Sequence, residues 1–353
     1  MKKIFLILTV FIGFTGCEDQ DIDFQDNTWQ SVYFPVQLPL RTLSLGEDRI
    51  DNSLDKEGKF DIGVSIGGMY ENNKDWTVGY LLDPSLTDSV YTSPLPRNKI
   101  LPLPGSYYTI EPQNTVTIPK GSMNGLIRIT VNDQFFNDTL STTGRYVIPL
   151  RLTETSADSI LEGKALSNIA VPDRRIAAHW EASMSPRDWV LFGIKYYNAY
   201  HGFYLHRGRD IRITTSTGIP FDTIIFRNKY IERDLVTKLT TIGLRKVMTN
   251  RVGNLTGANY SMQLEFANTE GASGSVTITP RPGLPYAVTG SGQYLDKETS
   301  TETWSLLKWP SMHLSYTYQD ATYTHQVTDT LVFRDRDMKF EQLSITIINP
   351  PAP

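Results

Sequence analysis

The 353-residue chain holds a single cysteine, Cys17. With no second thiol it forms no intrachain disulfide, so rigidity has to come from sheet packing. No apolar run reaches the roughly 20 residues that a membrane-spanning helix needs. Positive charge is not in excess either: 34 Lys and Arg stand against 38 Asp and Glu. That balance excludes nucleic acid as a partner, because nucleic acid calls for a basic footprint. Catalytic motifs are equally scarce. The sequence has no Gly-x-Ser-x-Gly elbow and no P-loop. Its five histidines, His179, His201, His206, His313 and His325, never occur as His-Glu-x-x-His or as a His-x-His pair, so neither a zinc centre nor any other cofactor is expected. His201 and His206 read as strand residues hydrogen-bonded near Tyr or Arg.

What the sequence does contain begins at its N-terminus. Lys2 and Lys3 precede an apolar run from Ile4 to Ile12, and Gly13-Phe14-Thr15-Gly16-Cys17 follows, the build of a secretory signal with small residues at its exit. This resembles a bacterial lipoprotein signal peptide, with Phe14 where Leu is usual. The resemblance implies removal of residues 1–16, a diacylated Cys17 as the mature N-terminus, and a membrane contact through that lipid. Residues 17–28 read as an acidic tether. Its start, Glu18 to Asp23, is similar to the tag that carries lipoproteins to the outer face in Bacteroidota-type cells, so the expected location is the outer membrane, facing the exterior. Asp19, Asp21 and Asp23 open like a calcium loop, but Phe24 and Gln30 occupy the positions that need Gly and Glu.

Beyond Trp29 the chain is rich in strand and turn formers, with 18 Tyr, 6 Trp, 25 Gly and 20 Pro. Period-two alternation at Ser31–Phe34 and Phe60–Ile66, and strand-length runs at Thr115–Ile118, Gly125–Val131 and Tyr146–Leu152 with turn residues between, predict an immunoglobulin-like sandwich over residues 29–155. The five prolines between Leu81 and Gly105 mark a long loop or edge. Residues 156–175 read as a connector. From 176 to 348, strand-length runs recur with short turns, an up-and-down meander best closed into an antiparallel, lipocalin-like β-barrel. The expected fold class is all-β throughout.

The segment from Tyr108 to Gly163, with Ile118-Pro119-Lys120-Gly121-Ser122, resembles the domain of unknown function 1735 type at the N-terminus of Bacteroidota surface lipoproteins. Phe192-Gly193-Ile194-Lys195-Tyr196-Tyr197-Asn198 with Tyr200-His201-Gly202, Gly290–Tyr294 and Asp329–Arg336 resemble the domain of unknown function 4361 type that accompanies it. The tandem implies a glycan-binding lipoprotein of a polysaccharide-utilisation system, with a polysaccharide or oligosaccharide as ligand and an outer-membrane importer complex as neighbour.

Two other readings remain open. One is a structural or importer-associated lipoprotein without direct glycan contact. The weaker one is a glycosidase using Asp335 and Asp337, but these acids alternate with Arg334, Arg336 and Lys339 and read as a strand-end ion-pair cluster; no catalytic residue is expected. For sugar binding, flat rings beside polar groups are the usual platform. Asp296–Pro310 is the only long polar loop of the second half with two Trp. It makes Trp304 and Trp309, with Tyr197 and Tyr200, the expected glycan platform at the open mouth of the barrel.

Overall fold

The computed structural model describes residues 26–47 and 51–348. Cys17, the signal segment and most of the acidic tether lie outside the described residues. The fold is nearly all-β, a sandwich followed by a closed eight-stranded antiparallel barrel.

One sandwich sheet runs Ser159–Ile160, Ser31–Tyr33, Lys59–Gly67, Asn124–Val131, Tyr108–Glu111. The other runs Glu341–Gln342, Pro39–Ser44, Trp189–Tyr197, Tyr146–Thr155, Trp76–Leu82, Thr115–Ile118, with Leu101–Pro102 on its flank. Asn124–Val131 buries every second residue, and Lys59–Gly67 does so as far as Val64. Their apolar halves, including Phe60, Ile62, Ile127 and Ile129, meet Val78, Ile148 and Ile194 in one core.

The domain boundary differs from the sequence expectation. Trp189–Tyr197, assigned there to the barrel, lies inside the sandwich, antiparallel to Tyr146–Thr155 and parallel to Pro39–Ser44. The connector expected at 156–175 also contributes, because Ser159–Ile160 pairs with Ser31–Val32. After the barrel, Glu341–Gln342 and Ile345–Ile347 return to pair with Pro39–Leu40 and Val90–Thr92. The physical reason is that Trp189–Tyr197 is apolar on both faces. Val190, Ile194 and Tyr196 enter the main core, while Trp189 and Leu191 meet Leu86, Val147 and Leu343 in a second, smaller one. A run buried on both sides reads the same in any sheet.

The barrel proper is Gly202–Thr214, Leu235–Gly243, Lys246–Thr249, Met262–Phe266, Gly274–Pro280, Thr289–Leu295, Ser311–Gln319 and Tyr323–Asp335. It closes by pairing the first and last strands from Phe203↔Asp335 to Thr214↔Tyr323. Closure requires Gly202, whose φ is +141° and whose missing Cβ would collide with the Asp335 carbonyl oxygen. Pro220–Phe226 extends the sheet beside Gly208–Ile213. Inside, Leu264, Val276, Ile278, Met312 and Leu314 form the apolar filling.

The two barrel ends differ. At one, the Leu244 turn packs on the sandwich core, and Asn198 donates its side-chain amide to the carbonyls of Gly243 and Lys246 at 2.8 and 3.0 Å. That end is closed by the first domain. The other end carries the 215–219, 281–288 and 320–322 turns and faces away from the junction.

Candidate functional site

At the free end of the barrel the strands deliver a chain of rings. Tyr260 and Tyr286 stack with centroids 5.5 Å apart, Tyr318 meets Tyr286 edge-on at 6.0 Å, and Tyr318 stacks on His325 at 4.1 Å. Tyr323 stands edge-on to His325, then packs against Phe221 at 5.0 Å, with the Arg212 guanidinium over both rings. Tyr318 and His325 occupy opposed positions of the last hairpin, so strand register places them side by side. Tyr260 and Tyr286 come from the segments entering Met262–Phe266 and Thr289–Leu295.

Beside these rings lies a cavity of about 730 Å³ lined by Tyr286, Tyr318, Thr317, Gln319, Asp320 and Thr324, with Pro285, Ala287 and Ala321. Its polar groups are fixed. The Asp320 carboxylate accepts from the backbone of Thr322 and Tyr323 at 2.7 and 2.6 Å and from His325 Nε2 at 3.2 Å. Burial alone would raise the Asp320 carboxyl, but those hydrogen bonds hold it below the usual range. His325 also contacts Asp210 through Nδ1 at 2.7 Å. Burial pushes its imidazole down, and the carboxylates of Asp210 and Asp320 outweigh that and raise it. The Tyr286 phenol is raised by its hydrogen bond with Tyr260. Tyr318 and His325 are themselves buried, so the half-buried Tyr260, Tyr286 and Tyr323 supply the open ring surface beside these acceptors, suited to stacking and hydrogen bonding.

A second polar group lies deeper. Tyr316 donates to Asp329 at 2.6 Å, His206 Nε2 stands 3.1 Å from the same carboxylate, and His206 Nδ1 meets Thr237 Oγ1 at 2.7 Å. A Ser-His-Asp-like role would need an accessible reacting atom. Here the His206 and Asp329 side chains are 2% and 0% exposed. The group serves the interior. Among the described residues no set of three or more His, Cys, Asp or Glu is placed to hold a metal ion.

The residues expected from sequence fall elsewhere. Trp304 and Trp309 do stack, at 4.9 Å, but each indole N–H is committed, to the carbonyls of Phe333 (2.9 Å) and Trp304 (3.0 Å). Their hairpin belongs to the junction end, where Asp296, Lys297, Glu298 and Pro310 share a small pocket with Gly46, Glu47 and Arg336. Tyr200 is fully buried, stacked on Phe266 at 3.5 Å and bonded to the Asn268 carbonyl, and is core. Tyr197 stacks on His201 at 3.6 Å. Among the described residues no ring stack joins the Trp pair to the two tyrosines, because the loop that carries the Trp pair lies at the closed end. Asp337 pairs with Lys238 and Lys339, and Asp335 accepts from the Asp337 backbone. The rim tyrosines were missed because each is a lone Tyr beside a turn. The available signal was that Tyr260, Tyr286, Tyr318 and Tyr323 all flank turns at one end of successive hairpins.

No described helix is long and apolar enough to cross a membrane. A family model described as a "-like, N-terminal domain" matches residues 24–159, and the model of a domain of unknown function, DUF5627, matches residues 199–337. DUF5627 thus stands where the sequence resembled the 4361 type. No curated protein matches the chain. Among solved structures, a Bacteroides ovatus protein of unknown function is similar at 32% identity and TM-score 0.79, over 91% of this chain and 99% of its own. A Bacteroides thetaiotaomicron auxiliary nutrient binding protein aligns at 14% identity and TM-score 0.37, over 84% of this chain and 89% of its own. A Bacteroides ovatus multidomain protein including DUF1735 gives 13% and 0.37, over 86% and 94%. With about a third of its residues identical to the first of these across nearly all of that protein, the chain belongs to the same family of Bacteroides two-domain β proteins.

Proposed function

We propose that the protein is a non-catalytic, lipid-anchored protein of the outer membrane that holds a polysaccharide or oligosaccharide at the free end of its barrel. The observation that carries this reading is the stacked Tyr260–Tyr286 pair beside a cavity with Gln319 and Asp320. Sugars present apolar C–H faces, and aromatic rings with adjacent fixed acceptors hold such faces in water. An open rim takes a chain rather than a single closed-in residue. The anchor follows from the lipobox-like Cys17, and an importer complex is the neighbour that the sequence resemblance implies.

Affinity gels with neutral polysaccharides test the ligand. With each ring contributing on the order of 1 kcal/mol, Tyr260→Ala plus Tyr286→Ala should weaken retention roughly thirtyfold with a cooperative melt preserved. Unaltered retention by a folded double variant sinks the rim as the site. Shortened product after incubation sinks the non-catalytic reading, and no retained glycan together with a co-purifying importer favours the interaction-protein alternative.

Localisation is tested separately. Cys17→Ala should leave the outer-membrane fraction and appear as soluble or uncleaved protein, because one diacylated cysteine is the expected source of membrane affinity. Full retention of that variant in the outer membrane contradicts lipid anchoring at this residue.

A further inference from the structure

The outer face of the barrel carries a second groove, unlike the rim in its chemistry. In antiparallel strands directly opposed residues share a face. Met312, Leu314 and Tyr316 point inward, so His313 and Ser315 point outward. Register then builds two rows across four strands: Gln293, His313, Thr330 and Arg207 in one, Ser291, Ser315, Thr328 and Arg209 in the other. At about 4.8 Å per strand, each row covers roughly 14 Å. Ile225 opposes Arg209 on the next strand, and Arg227 follows just beyond it. Together they border a cavity of about 740 Å³, a volume typical of ligand sites.

The charges in this groove are of one sign. Arg207 pairs with Asp234 through Nε, and its Nη2 is enclosed without a partner. Arg209 donates Nε to Thr328 at 3.2 Å and makes no ion pair among the described residues; Arg227 is exposed and likewise makes none. The only carboxylate among the lining residues is Asp329, whose side chain is turned inward onto Tyr316 and His206. No aromatic ring lines the groove apart from the His313 imidazole. The remaining polar groups are hydroxyls and an amide, beside the apolar Ile225 and Leu314. Such a surface offers hydrogen bonds to a polyhydroxylated chain and guanidinium forks for planar or tetrahedral anionic groups.

We propose that this groove binds an anionic saccharide chain, one bearing carboxylate or sulfate groups, independently of the rim. The chain as a whole is acidic, at −4, so general attraction opposes polyanions and binding must come from this patch.

Affinity electrophoresis of the full-length protein with polygalacturonate, with dextran sulfate and with neutral dextran is the test. Retention is expected with at least one of the two polyanions, and which one tells carboxylate from sulfate recognition. It should fall as salt is raised, since exposed charges are screened. Arg209→Ala plus Arg227→Ala should weaken it at least tenfold, and Ser315→Glu, an exposed change that sets a carboxylate in mid-groove, should abolish it; neither should move the melting temperature by much. Tyr286→Ala should leave polyanion retention intact, which separates this site from the rim. The proposal is overturned if the unaltered protein retains neither polyanion, or if the double Arg variant retains them equally well.

Discussion

Replacing Arg336 by alanine should destabilise the protein by about 3 kcal/mol or more and uncouple its two halves. Arg336 is only 6% exposed and forms no ion pair among the described residues. Its guanidinium donates instead to the carbonyls of Glu47 (2.9 Å), His201 (3.0 Å) and Ala199, and lies over the Phe333 ring at 4.5 Å. Those carbonyls belong to a sandwich loop and to the segment linking sandwich to barrel, while Phe333 belongs to the closing barrel strand. Gly46 leaves room for the guanidinium, since a Cβ there would collide with it. Truncation leaves three carbonyls at the junction without a donor, each costing roughly 1 kcal/mol or more. The measurement is urea unfolding followed by separate near- and far-ultraviolet signals. One cooperative transition should split into two, because domains that lose their coupling no longer unfold together. A single transition shifted by less than about 1 kcal/mol would show that Arg336 is not the coupling residue. Gly46→Ala, which crowds the same guanidinium, should move stability in the same direction.

That junction is also where sequence reading reached its limit. Strands were legible where one face is buried and the other wet, as in Asn124–Val131 and Ser311–Gln319, because alternation there reports directly which side meets the core. The meander of the second half was legible for the same reason, and its closure into a barrel follows from the cost of free edges. Trp189–Tyr197 lacks alternation, since its two faces serve two different cores, and nothing local says which sheet it joins. His201 and His206 read as strand residues hydrogen-bonded near Tyr or Arg; His206 does lie in the strand Gly202–Thr214, whereas His201 stands just before it, in the link from the sandwich. His201 indeed accepts from the Thr241 backbone and stacks on Tyr197, and His206 sits by Thr237 and the Tyr316–Asp329 pair.

The site was less legible than the fold because ring type carries no information on which barrel end is covered. Trp304 and Trp309 are flat rings in a polar loop, as a sugar platform requires. Yet the C-terminal tail returning to Pro39–Leu40 and Val90–Thr92, and the Asn198 bridge to Gly243 and Lys246, bring the sandwich against that end. These contacts join residues far apart in the chain, so no window of sequence contains them.

The junction histidine should make stability fall as the pH drops from 7 to 5. Burial lowers the His201 imidazole to about 3, and the charges of Lys238 and Arg336 add to the effect. A group depressed in the folded state contributes stability above its unfolded value, near 6.5, and loses it as the pH falls toward the folded one. Between pH 7 and 5 that linkage amounts to about 2 kcal/mol. The carboxylates held low do not enter this window, whereas Asp188, raised by burial despite its Arg174 partner, opposes the acid loss. Asp83, Asp173 and Asp337 are held low by hydrogen bonds and Arg or Lys charges that outweigh burial, so their contribution disappears only near and below pH 4. His325 acts in the opposite sense. Its raised imidazole stabilises the fold below about 6.5 and loses that contribution as pH rises through the folded value. Denaturant midpoints at pH 5, 6 and 7 separate the two. His201→Gln should flatten or reverse the acid loss, whatever it does to stability at pH 7, and His325→Gln should steepen it. If both variants keep the slope of the unaltered protein, neither imidazole is the titrating group and the acid response arises outside the junction and the rim.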